Sequence, residues 1–68
     1  MPGTYKKIEI VGTSPGSFAE AVKDAVKTAS KSVRHMDWFE VAEMRGRISN
    51  GAVAEFQVTV RVGFKLEP

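Results

Sequence analysis

The 68-residue sequence predicts an α+β fold of order β-α-β-β, with a three-stranded antiparallel sheet (order 1-3-2) packed on one amphipathic helix. Three observations carry that expectation. Apolar residues recur with helical spacing from Phe18 to Val33, a period-two pattern runs from Val53 to Leu66, and Asn50-Gly51 joins two strand-like runs.

Thr4 to Val11 reads as the first strand, with Tyr5, Ile8, Ile10 and Val11 as its β-formers. Gly12-Thr13-Ser14-Pro15-Gly16 breaks the pattern. Two helix starts compete there. Ser14 is a suitable cap followed by Pro15 at a first helical position, while Ser17 with Glu20 forms a capping box. The apolar stripe then runs Phe18, Ala21, Val22, Ala25, Val26, Ala29 and Val33, and Glu20, Lys23, Asp24, Lys27, Lys31 and Arg34 take the other side. Acid falls early and base late, as the helix dipole favours. His35 reads as a helix-terminal residue in the same role.

Asp37 to Ile48 is the second strand and Val53 to Leu66 the third. Ala54, Phe56, Val58, Val60, Val62, Phe64 and Leu66 share one face, and Gln57, Thr59, Arg61, Gly63 and Lys65 share the other. A helix between strands one and two makes them parallel with a right-handed crossover, so strand three fits between them, antiparallel to both. A helix of about 20 residues spans ~30 Å, whereas a 14-residue strand reaches ~46 Å. One helix therefore leaves Phe64 and Leu66 for a neighbouring subunit. A hairpin centred on Asn50-Gly51 pairs Gln57 with Met44 and Trp38 with Gly63. It puts Trp38 on the uncovered face with Gln57, and Phe39 and Val41 in the core. Trp38 and Gln57 are then ~20 Å apart, so one small molecule can touch both only across a subunit interface.

Composition narrows the function. Residues 1–68 form a single domain with a thin core, and chains this short usually need a staple. Without Cys there is no disulfide, iron–sulfur cluster or thiolate zinc site, and the single His excludes a multi-histidine metal site within one chain. Assembly with further copies is the staple that remains. The net charge of +2 comes from ten basic and eight acidic residues, with no basic cluster beyond Lys6-Lys7. That is a weak footprint for nucleic acid. No apolar run exceeds three residues, so no membrane span is expected, and the start lacks an apolar signal region. The expected location is cytoplasmic. No nucleophile–base pair or metal-ligand spacing is recognisable, which argues against an enzyme.

Val11-Gly12-Thr13-Ser14, Asp37-Trp38-Phe39-Glu40-Val41, Arg45-Gly46, Phe56-Gln57-Val58 and Val62-Gly63-Phe64-Lys65-Leu66-Glu67 together resemble the bacterial branch of the dodecin family over nearly the whole chain. The resemblance implies a hollow homododecamer that binds flavin, FMN or riboflavin, without known catalysis. It implies that Trp38 stacks on the flavin ring and that the Gln57 amide bonds its polar edge. It also implies that Arg45 and Asp37 lie near the ligand. Lys65 is a candidate for a ligand phosphate. Some bacterial relatives also bind coenzyme A, whose site the resemblance does not place here. Trp38 suits its role because an indole is the largest electron-rich side-chain surface for a flat, electron-poor ring. Gln57 suits its own because one amide carries both an acceptor and donors. The simple hairpin register nevertheless puts Arg45 on the helix side, away from both, unless a β-bulge intervenes. Two other readings remain: a small basic nucleic-acid-binding module with an exposed sheet aromatic, and an assembly protein without a ligand.

Overall fold

The computed structural model describes residues 3–67. It contains β1 (Tyr5–Ser14), α1 (Phe18–Ala29), β2 (Met36–Ser49) and β3 (Ala52–Lys65). The sheet order is β1-β3-β2, and both pairings are antiparallel, as the sequence predicts.

β1 runs three residues past its expected end, because Gly12, Thr13 and Ser14 stay paired with Val58, Gln57 and Phe56. The two helix starts resolve in favour of Ser17. Its extended backbone and a side chain accepting from the Glu20 N–H (3.0 Å) mark it as the cap. Ser14 instead closes the preceding turn, accepting from the Gly16 N–H at 3.0 Å. α1 is also shorter than its apolar stripe implies. It stops at Ala29, and tighter turns follow in which Lys31 bonds back to Thr28 and Ser32 to Ala29. Val33 continues the spacing without continuing the helix.

His35 needs a second correction. It lies beyond the helix with φ of 62°, the left-handed region, and its Nε2 sits 2.7 Å from Glu67. Its partner is therefore the C-terminal segment and not the helix end.

The helix lies over β1 and β3 and barely reaches β2. Ala21, Val58, Val60 and Val62 form the buried centre, with Ile8, Ile10, Phe18, Val22 and Met36 packed around it. Close approach requires small residues. A Cβ at Gly12 would sit 2.1 Å from the Ala21 carbonyl oxygen and 2.7 Å from the Ala25 Cβ. A helix of 12 residues covers ~18 Å, while the molecule is 53 Å long. Phe39 and Val41 occupy the helix side as expected but stay about half exposed, at 51% and 47%. Met44, Ile48, Val53 and Leu66 are exposed too. Of these residues the sequence leaves only Leu66 to a neighbouring subunit, and the exposure of Phe39 and Val41 departs from their expected place in the core.

Register decides which side chains meet. Trp38 to Val41 pair with Gly63 to Val60, in the expected alignment. The ladder then slips between Val41 and Glu43, so that Arg45 faces Gln57, and it slips back between Arg47 and Ile48. The expected Gln57–Met44 pairing is thus wrong by one residue. The cause is a pair of bulges bracketing this stretch, at Ala54 on β3 and at Ala42 on β2, at each of which two residues on one strand oppose one on the other.

Candidate functional site

The pair of bulges has a functional consequence, since shifting a strand by one residue moves its side chains to the opposite face. Between Ala42 and Ala54 it turns Arg45 away from the helix and onto the outer face, directly opposite Gln57. The outer face therefore carries all of Trp38, Arg45, Gln57 and Lys65. They fall into two groups.

The first group is built on Trp38. Its indole lies over Gly63, where a Cβ would approach three ring atoms within 2.3 to 2.5 Å. The glycine is the bare floor on which the ring rests, an arrangement known for aromatics covering strand glycines. Tyr5 stands beside it with ring centroids 5.3 Å apart and planes tilted by 59°. The indole N–H donates to Glu40 Oε2 at 2.9 Å, and Lys7 Nζ donates to both Glu40 oxygens at 3.1 and 3.2 Å. The indole hydrogen bond, then Lys7, holds the Glu40 carboxyl below its ordinary range. Trp38 keeps 38% of its surface exposed. Lys65 lies on the same face opposite Tyr5, and Asp37 is the extra, exposed residue between the Met36 and Trp38 pairings.

The second group is Gln57 with Arg45 on β2 and Thr13 on β1, one on either side of it. Gln57 Nε2 donates to Glu55 Oε1 at 2.8 Å. That leaves the amide one N–H and its carbonyl oxygen, a neighbouring donor and acceptor. Gln57 is six residues from Gly63 along β3, or about 20 Å. The structure pairs Gln57 with Arg45 and sets Trp38 toward the other end of the sheet, with Asp37 next to it in β2 and Lys65 two residues beyond its partner Gly63, so the two groups lie apart within one chain.

Glu40 and Tyr5 are contributors that reading the sequence passed over as such. The signal for Glu40 was there: residues i and i+2 of a strand share a face, and an indole N–H beside a carboxylate finds an acceptor. Tyr5 shows only once β1 is registered against β3. Among the described residues, no three His, Cys, Asp or Glu side chains gather as a metal ion would require. No helix there is long and apolar enough to cross a membrane.

Comparison with known proteins agrees with the residue pattern. A family model described as Dodecin matches residues 4–67. The chain is 49% identical over 67 residues to the dodecin of Thermus thermophilus, covering 98% of this chain and 97% of that one. It is 33% identical over 64 residues to the calcium dodecin of Mycobacterium tuberculosis, covering 94% and 90% respectively. Among solved structures, the dodecin from Streptomyces davaonensis superposes with a TM-score of 0.95 at 41% identity, with both chains fully covered.

Proposed function

Since the chain belongs to the dodecin family, we propose that it assembles into a hollow homododecamer that binds FMN or riboflavin, stores it and quenches its photochemistry. The role is binding without catalysis.

The observation that carries this reading is the half-exposed Trp38 indole, lying flat on Gly63 and fixed at its N–H by Glu40. An electron-rich plane held open to solvent is a platform for an electron-poor ring. Stacking on an aromatic contributes about 1–3 kcal/mol per base in nucleic-acid complexes, and a flavin ring is at least as large. A bound flavin supplies an extended ring whose polar edge alternates carbonyls with an N–H. The donor and acceptor left on Gln57 match two neighbouring positions of such an edge. Arg45, opposite Gln57, offers a charged donor beside it. Asp37, next to Trp38 in β2, and Lys65, paired with Tyr5 on the same face, bear on the ribityl chain and, in FMN, the phosphate. An indole stacked on an excited flavin passes it one electron, which then returns, so emission is lost and nothing is consumed.

Trp38 and Gln57 reach one ligand only when they come from different copies, because ~20 Å separates them in a single chain. This ties binding to assembly. The exposed apolar row of Phe39, Val41 and Met44 supports assembly independently, since a monomer rarely leaves so much contiguous apolar surface in water.

Titration of riboflavin and of FMN with the purified protein tests the reading. Flavin emission is expected to be quenched at micromolar protein and to stay unquenched with Trp38→Ala. Emission unchanged by the native protein, or equally quenched by the variant, would refute it.

A further inference from the structure

A tryptophan on an open sheet face ordinarily samples several side-chain rotamers, and each is a different platform. Trp38 has three restraints against this. Gly63 lies beneath the ring, Tyr5 blocks one side, and the N–H is tied to Glu40. The first two are apolar contacts that permit sliding. Only the hydrogen bond sets the direction of the ring within its plane.

Glu40 is itself held. Lys7 reaches it from β1, across the central strand, and bonds both carboxylate oxygens. It can do so because the residue between Lys7 and Trp38 in the ladder is Gly63, which has no side chain. Arg61, paired opposite Glu40, is engaged by Glu9 at 2.9 Å and does not compete for the carboxylate's hydrogen bonds. Lys7, Glu40 and Trp38 thus form one connected bridge over the sheet, anchored in two strands.

We propose that Glu40 is a positioning residue for flavin stacking, its carboxylate fixing the plane of Trp38 by accepting the indole N–H while Lys7 fixes the carboxylate. The inference rests on the flavin reading for its purpose, though not for its geometry. A ring already held in place loses less freedom when a ligand settles on it. Removing the tether should weaken binding by about three- to tenfold, the usual range for one net hydrogen bond.

Trp38 is the only tryptophan in the chain, so its emission reports this position alone. The experiment compares the native assembly with Glu40→Ala and Glu40→Gln, first without flavin and then titrated with riboflavin. Glu40→Ala is expected to increase the fast depolarisation of Trp38 emission and to raise the riboflavin Kd by about three- to tenfold. Glu40→Gln, whose amide oxygen still accepts from the indole, should restore most of both. Native-like anisotropy in Glu40→Ala would overturn the assignment, as would a failure of Glu40→Gln to rescue it. If riboflavin does not bind the native protein, the flavin reading falls while the anisotropy comparison still decides the role of Glu40.

Discussion

Replacing Gly63 with alanine separates platform geometry from overall stability. The new Cβ would stand 2.3, 2.4 and 2.5 Å from Cζ2, Cε2 and Cη2 of Trp38, where carbon atoms prefer about 3.5–4.0 Å. The indole must therefore lift by about 1 Å or more. Its N–H is then carried out of line with Glu40, now at 2.9 Å, and the hydrogen bond is stretched and weakened. Stability should hardly change, because two effects oppose each other. Gly63 does not have positive φ, so alanine fits the backbone and removes freedom from the unfolded chain, a gain of about 0.4–1 kcal/mol. The weakened hydrogen bond costs up to about 1 kcal/mol. Flavin binding has no such compensation, since a displaced ring forfeits much of a stacking contact of about 1–3 kcal/mol, or roughly tenfold in Kd. Thermal unfolding of the ligand-free protein together with riboflavin titration checks both halves. Binding unchanged from native in Gly63→Ala would refute the platform argument, and so would a loss of binding that merely tracks a collapse in melting temperature.

The same close packing governs other positions. Gly12→Ala drives a Cβ into the Ala21 carbonyl at 2.1 Å, so the helix must shift off the sheet at a cost of about 1–3 kcal/mol or more. Denaturant unfolding should show the loss, and a native midpoint would contradict it. Ser17→Ala removes the acceptor for the Glu20 N–H and should cost about 1 kcal/mol by the same measurement. Acid should loosen Trp38 through Glu40, which faces Lys7 on β1 and Arg61 on β3 and has its carboxyl held below the ordinary 4.5. A group with a depressed folded pKa contributes fully above its unfolded value and loses that contribution as pH falls through the folded one. Fast depolarisation of Trp38 should accordingly grow only below pH 4.5, rising no further than the Glu40→Gln level because a protonated carboxyl still accepts from the indole, and should be flat in Glu40→Gln. A transition at neutral pH would contradict this origin.

Most of the fold was legible because its signals are local. The strict alternation through Phe56, Val58, Val60 and Val62 and the Asn50-Gly51 turn identify β3 and its hairpin, and connection handedness fixes the strand order. The helix end was not legible. Val33 keeps the apolar spacing, but the chain is already turning toward β2, with His35 left-handed, and tertiary connection overrides periodicity. The two bulges were equally hidden, because Ala42 and Ala54 look like any strand residues and are extra only by virtue of their partner strands. Their cost to the reading was specific: Arg45 seemed to face the helix, whereas it stands opposite Gln57. Trp38 over Gly63 was readable from pairing alone, since that end of the hairpin keeps the simple register. The partial exposure of Phe39 and Val41 follows from a helix that lies over β1 and β3 and barely reaches β2, so that their partners Val62 and Val60 are covered while they are not, and no count of apolar residues reveals that.

Sedimentation of the native protein with riboflavin, followed at the flavin's visible absorbance, is the most direct test that one copy's indole and another copy's amide share a ligand. The colour should travel with a single species near twelve times 7.4 kDa, and Trp38→Ala and Gln57→Ala should each release it while the species stays intact. Colour that remains with free riboflavin, or that travels with a lone 7.4 kDa chain, would contradict it.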